Sequence, residues 1–282
     1  MKCVLLGATR GCGLETLLNL HKAGHECYIL ARNSTAAAET LSAQGVPANS
    51  PLLHIVQGDA FEAGDIRRLF TAAGEVDFVM FSLGTYLTHP PLLKSEKLAA
   101  MLTQNPPSLP PPGGRPSFKN PLSPKLVPPH ICTRSIQVFL PIFTEFYPTP
   151  ATQPRLVVIS SNGLGDQGHA DLPLTLKPLY GWLLKEPHED KVEMEKELHV
   201  AAGIQHVDFN PDGNNEGRLG NVVIVRPALL TDGVAKGEEG AVRVGERLEK
   251  CWTVSRKDVG WFAAGECLTG DKWKNKGVTI GY

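Results

Sequence analysis

The sequence lacks any run of about eighteen apolar residues, so nothing in it reads as a membrane-spanning helix. It also lacks the charged stretch and long apolar core of a secretory leader, since Met1 is followed within a few residues by a strand-like run. Neither sign of charge dominates: 28 Lys and Arg stand against 29 Asp and Glu, leaving no basic field to hold nucleic acid or a membrane surface. The six cysteines, at 3, 12, 27, 132, 251 and 267, form no Cys-x-x-Cys pair, which argues against a zinc or thioredoxin-like site. The nine histidines do not cluster, and His188-Glu189-Asp190 lacks the His-Glu-x-x-His spacing, so no metal is expected. The Gly-x-Ser-x-Gly elbow of many hydrolases is missing too. These absences leave a cytoplasmic protein with free thiols, acting on a small molecule, as the expectation.

What is present suits a single α/β domain over 1–282: 282 residues, 42% hydrophobic and 20% charged, can bury a core without disulfide or metal staples. Lys2 to Leu6 is a short apolar run ending in Gly-Ala-Thr-Arg-Gly-Cys-Gly. Leu14 to Leu20 follows with leucines at helical spacing, Gly24 stops that helix, and Glu26 to Ala31 reads as a second strand. Leu52 to Gln57 is a third strand, Ala63 to Ala73 a helix, and Val76 to Ser82 a fourth strand. Twelve prolines then fall between 87 and 130, a density that no helix or central strand tolerates. This stretch, in which Lys94 to Leu102 can form a short helix, reads as an insertion over the sheet edge or a lid, or else as an exposed loop. Regularity returns with a helix at Thr133 to Phe146, a strand at Arg155 to Ser161, a helix at Glu189 to Ala202, a strand at Asn221 to Arg226, a helix from Ser255 to Leu268 and a strand at Val278 to Tyr282. Ser255 to Asp258 has capping-box form, the acidic helix 189 to 198 reads as a solvated face, and Trp252, Trp261 and Trp273 read as core or lid packing. The alternation predicts a Rossmann-like, doubly wound parallel sheet with helices on both faces.

Gly7-x-x-x-Gly11-x-Gly13 follows a strand and opens a helix within a βαβ unit, the context that makes a glycine triplet a dinucleotide-binding turn. The turn must be tight, and the helix N-terminus offers amide hydrogens and partial positive charge to a pyrophosphate. Gly7, Thr9, Arg10, Gly11, Cys12 and Gly13 are therefore candidate cofactor residues. The second strand ends Ala31-Arg32-Asn33 with no acid for a ribose hydroxyl, whereas Arg10 and Arg32 suit the extra 2′-phosphate of NADP(H). Asp59 and Ala60, after the third strand, reach the adenine, unless Asp59 is a helix cap or turn residue. Ser82-Leu83-Gly84 ends the fourth strand, where backbone passes the cofactor ribose.

These motifs, with Gly58-Asp59-Ala60 and Val157-Val158-Ile159-Ser160-Ser161, resemble the short-chain dehydrogenase/reductase superfamily. The chain is most similar to its atypical members, the group of biliverdin reductase B and NmrA-like proteins. A Lys and a Glu in one helix (Lys191, Glu195) followed by Arg226-Pro227, then Ser255 to Gly260, extend the likeness over all but about 87–130 and 206–220. The resemblance implies an NADPH-dependent reductase that transfers hydride to a small conjugated or carbonyl-containing substrate. It places Ser160 and Lys191 at the cofactor, Pro227, Ala228 and Leu229 near the nicotinamide carboxamide, and Ser161, Lys191 and Tyr180 as catalytic candidates. Each has another reading: Ser161 as a strand-end serine, Lys191 as an i,i+4 partner of Glu195, Tyr180 as a packed aromatic. The superfamily's Tyr-x-x-x-Lys is absent, since Pro187 stands four residues before Lys191 and Tyr180 is five before Lys185. A regulatory protein that senses NADP(H) without turnover, or a non-redox isomerase or cyclase on the same fold, is the alternative.

Overall fold

The computed structural model describes residues 1–47, 49–84, 115–117, 125–127, 129–182, 184–237 and 240–282. In chain order the elements are β1 (Lys2–Leu6), α1 (Gly11–Lys22), β2 (Glu26–Ala31), α2 (Ser34–Ala43), β3 (Leu53–Gln57), α3 (Ala63–Ala73), β4 (Phe78–Phe81), β5 (Arg115–Ser117), β6 (Lys125–Val127) and α4 (Ile131–Phe146). There follow β7 (Arg155–Ile159), α5 (Gly165–Asp171), α6 (Lys177–Trp182), α7 (Lys185–Ala202), β8 (Val222–Pro227), β9 (Leu229–Thr231), β10 (Arg243–Gly245), β11 (Thr253–Ser255), α8 (Arg256–Ala264) and β12 (Lys276–Gly281).

The main sheet has eight strands in the order β10-β12-β8-β7-β4-β1-β2-β3. All pairings in it are parallel except β10 against β12 at one edge. The strand order reverses between β1 and β4, which makes their carboxyl ends the switch point where doubly wound sheets bind ligands. The strands are continuous apolar runs because both faces are covered. On one face Cys3, Leu5 and Ile29 pack with Leu17 and Leu20 of α1, Leu41 of α2 and Phe262 of α8. On the other, Val4, Leu6 and Phe81 pack with Phe70 of α3, Phe139 and Phe143 of α4, and Met194 and Leu198 of α7. Gly260 lets α8 lie directly on α1: a Cβ there would come within 2.5 Å of Glu15 backbone.

The expected α/β sheet is present, with differences that have local causes. Helix α2 is absent from the sequence reading, because Ser34 to Ala43 buries only Ala37 and Leu41 and carries little periodicity. Strands β9, β10 and β11 are three residues each, too short for alternation to announce them. Helix α7 begins before Glu189, since Pro187 sits in its first turn where no amide bond is lost. Helix α8 stops at Ala264, short of Leu268. Its solvated-face and packing expectations also change: Asp190 and Glu195 of α7 are buried, and Trp252 is exposed. The capping box at Ser255 is only half formed. Ser255 Oγ accepts the Lys257 amide at 3.2 Å, but Asp258 turns away and accepts the amides of Lys236 and Gly237 at 2.8 and 2.7 Å. Tyr282 fills the gap: its hydroxyl accepts the Ser255 amide at 3.1 Å and donates to the Asp258 carboxylate. Within the proline-rich insertion, β5 and β6 pair antiparallel; its other residues up to 128, including Lys94 to Leu102, lie outside the described residues.

Candidate active site

The glycine turn closes by contact between main chains. Gly7 has φ +86°, and a Cβ on it would stand 2.5 Å from the Ser82 carbonyl oxygen. A Cβ on Gly13 would meet the Gly7 carbonyl at 2.3 Å. Gly11 differs: at φ +60° a Cβ would meet nothing within 4 Å, so open space lies over the start of α1. Arg10 precedes that helix in extended conformation, and its side chain does not cap it. Thr9 and Arg10 are half-buried, and Cys12 is buried, with burial pushing its thiol up to about 11.

The other strand-end residues divide between open and committed side chains. Arg32 is exposed at the end of β2. Asn33 caps α2, its Oδ1 accepting the Ala36 amide at 2.9 Å. Asp59 serves a turn: its Oδ1 accepts the Phe61 amide at 3.0 Å while its own amide donates to Asp65 at 2.7 Å. Ala60 and Leu83 pack at the margin of the core on the α3 and α4 face. Ser160 Oγ donates to the buried carboxylate of Glu195 at 2.5 Å, so its hydroxyl points into the protein and not toward a cofactor. Pro227 accepts the Asn162 amide at 2.8 Å, and the Ala228 amide donates to Ile280 at 2.9 Å, which carries β8 one residue beyond the expected stop. Leu229 packs with Leu172, Leu176 and Tyr180.

Lys191 is brought to the switch-point edge. Its Nζ donates to the Ile159 carbonyl at 2.9 Å and would stand 3.8 Å from a Cβ on Gly84. It makes no i,i+4 pair with Glu195, which is claimed by Ser160 and Arg226. Cys132 also meets this point, its thiol 3.6 Å from the Leu83 carbonyl. The sequence reading passes over Asp190, beside Lys191, yet Asp190 caps α4 from another helix: its carboxylate accepts the amides of Cys132 and Thr133 at 2.8 and 2.9 Å. That fixes α7 against the N-terminus of α4 and so places Lys191.

Ser161 and Tyr180 meet through a residue considered only as a metal ligand. Ser161 Oγ lies 3.1 Å from the Asn162 carbonyl oxygen and 3.3 Å from His188 Nε2. Tyr180 packs edge-on against His188, with ring centroids 5.1 Å apart. Burial raises the Tyr180 hydroxyl well above its ordinary range, and its ring covers Gly163, where a Cβ would be 2.8 Å from it. Tyr180 is thus a packed aromatic beside the site. Burial and the nearby charge of Lys191 push His188 down to about 3, so the ring is neutral. His188 and Tyr180 share a cavity of about 460 Å³ with His130, Leu164, His169 and Val192. Among the described residues, no three His, Cys, Asp or Glu side chains converge as a metal ion would need, and no helix is long and apolar enough to cross a membrane.

No protein-family model matches the chain. Reductase pytE of Aspergillus terreus is 30% identical over 290 residues, covering 98% of this chain and 96% of the relative. The chain belongs to its family. Oxidase pynE of Aspergillus niger is 28% identical over 297 residues, covering 98% and 96% of the two. These two relatives are named for reduction and for oxidation, and the chain is an oxidoreductase. Among solved structures, ChuY, an anaerobillin reductase from Escherichia coli O157:H7, shares the fold with a TM-score of 0.59 at 18% identity, over 99% of this chain and 96% of that one.

Proposed function

We propose that the chain is an NADPH-dependent reductase that transfers hydride to a small conjugated or carbonyl-containing organic substrate. The observation that carries this reading is that the open turn at Gly11 and the amino group of Lys191 stand at the strand-end edge of the sheet, with the Ser161 hydroxyl 3.3 Å from His188, which lines a cavity of about 460 Å³. The turn fits the cofactor: Gly7 and Gly13 close it tightly, and over Gly11 a side chain would meet no protein atom within 4 Å. The first amides of α1 would hold the pyrophosphate, Arg10 and Arg32 the 2′-phosphate, and Asp59 and Ala60 the adenine. Ser82 to Gly84, Lys191 and Pro227 to Leu229 would line the ribose and nicotinamide. When bound, the cofactor supplies the hydride. Lys191, held by the Ile159 carbonyl, presents positive charge at the strand ends. Ser161 offers a hydroxyl to the substrate oxygen. The names of the relatives support redox turnover over cofactor sensing.

The test is NADPH oxidation, followed at the nicotinamide absorbance, against quinones, flavins, enones and tetrapyrroles, together with calorimetric titration of NADPH and NADH. Consumption of NADPH with one acceptor class supports the reading. Tight binding with no turnover across the panel favours a sensor, and no binding of either cofactor at millimolar concentration ends the proposal.

A further inference from the structure

We infer that His188 is a positioning residue for the Ser161 hydroxyl, and that this pair fixes where a substrate oxygen sits in the cavity. The inference rests on the reductase reading above. Ser161 stands just past the end of β7 and has two neighbours within hydrogen-bond reach: its own following carbonyl at Asn162 and the Nε2 of His188. A carbonyl in the same chain segment only turns the hydroxyl back on its own backbone. The imidazole comes from the first turns of α7, twenty-seven residues away, and holds the oxygen from the cavity side.

The ring is itself held. Tyr180 packs edge-on to it, the Gly163 backbone hydrogen-bonds to it, and its surroundings keep it uncharged. A neutral imidazole carries one N–H and one lone pair. With the N–H on Nε2 it donates to Ser161 and leaves the serine proton for a substrate oxygen, and with the lone pair there Ser161 donates to it and meets the substrate as an acceptor. In both cases rotation about the serine Cα–Cβ bond is restrained, and the oxygen is held against His188 at the edge of the cavity. The cavity that His188 lines also carries the rings of Tyr180, His169 and His130, with Leu164 and Val192. The charged side chains of Lys185, Glu189 and Asp166 line the same cavity. One oriented hydroxyl beside a cavity that mixes rings, aliphatic side chains and charged groups suits a polar oxygen on a partly apolar substrate. The three-residue step from His188 to Lys191 along α7 puts both on one side of the helix. The same element therefore aims the hydroxyl and presents the ammonium group.

The experiment compares Ser161→Ala, His188→Leu, His188→Gln and the Ser161→Ala/His188→Leu double variant in steady-state NADPH oxidation with the best acceptor. Ser161→Ala and His188→Leu are each expected to lower kcat about tenfold or more with little change in KM. The double variant should be no slower than Ser161→Ala alone. His188→Gln, whose amide can occupy the place of Nε2, should recover most of the rate. Losses that multiply in the double variant, or an unchanged kcat in His188→Leu, overturn the inference. A second measurement is independent of turnover: the ring nitrogen shifts of His188 in the ¹⁵N-labelled chain should move on Ser161→Ala, and unmoved shifts overturn the pairing. If the wild-type chain binds NADPH but turns over no acceptor, the reductase reading fails while the nitrogen shifts still judge the pair.

Discussion

Arg226 donates to both carboxylate oxygens of Glu195 beneath the strand ends, from Nε at 3.1 and 3.0 Å and from Nη2 at 2.5 Å. Glu195 has no exposed surface. Burial alone would raise its carboxyl, but the Arg226 charge, with hydrogen bonds from His199 and Arg226, outweighs this and holds it at about 2. His199 closes the cluster, its Nδ1 at 3.0 Å from the Ile204 carbonyl and its Nε2 at 3.1 Å from Arg226. Removing one partner of such a pair leaves a buried charge without compensation. Glu195→Ala is therefore expected to destabilise the chain by about 3–5 kcal/mol. Urea unfolding checks this, and a loss under about 1 kcal/mol would contradict the pairing.

The two positive-φ glycines of the phosphate turn are expected to separate folding from binding. Gly7→Ala forces a Cβ against the Ser82 carbonyl and should prevent stable folding. Gly11→Ala meets no atom, so it should fold at a cost of about 1–2 kcal/mol for the left-handed backbone. It should nonetheless lose NADPH affinity about tenfold or more, because the methyl group occupies the space over the turn. Thermal melting and calorimetry on the two variants give both quantities.

Cofactor choice should depend on the two arginines at the strand ends. Arg10→Ala and Arg32→Ala are each expected to reduce the preference for NADPH over NADH about tenfold, through loss of a charge-assisted bond to the 2′-phosphate. NADH kinetics should stay nearly constant. An unchanged preference in both variants would remove the assignment of NADP(H).

Stability should fall on mild acidification. His188 is lowered from 6.5 to about 3 by burial and by Lys191. His206 is lowered from 6.5 to about 4 by burial and then by Arg226 and His199. Both folded values lie below the unfolded one, so in this interval the unfolded chain binds more protons and stability rises with pH. Their contribution is complete above 6.5 and is lost progressively as pH drops from 6.5 toward these folded values. Glu195 adds a further loss as pH falls from 4.5 toward about 2. Melting temperature should decline between about pH 7.5 and pH 5, and His206→Gln should flatten the decline.

Much of this was open to reading along the chain, because the relevant forces act between near neighbours. Apolar runs of five or six residues between glycines make buried parallel strands, and the spacing of Gly7, Gly11 and Gly13 makes a tight strand-to-helix turn. The identity of β1, α1, β2, β3 and α3 follows from such patterns, and so does the edge of the sheet at which the site is proposed. Helix α2 escaped because alanines bury little, and β9 to β11 because three residues show no period.

The direction of individual side chains was decided only by folding. Ser160 and Ser161 are adjacent and alike in sequence, yet one bonds to Glu195 in the interior and the other to His188 at the cavity. Successive residues of an extended chain face opposite sides, and only the elements packed on each side determine what each hydroxyl meets. Asp190 caps a helix that starts nearly sixty residues earlier, and Arg226 on β8 finds Glu195 on the helix packed over that face of the sheet. A chain specifies its periodicities and turns locally, whereas hydrogen-bond partners for buried polar groups come from wherever the packed core brings them.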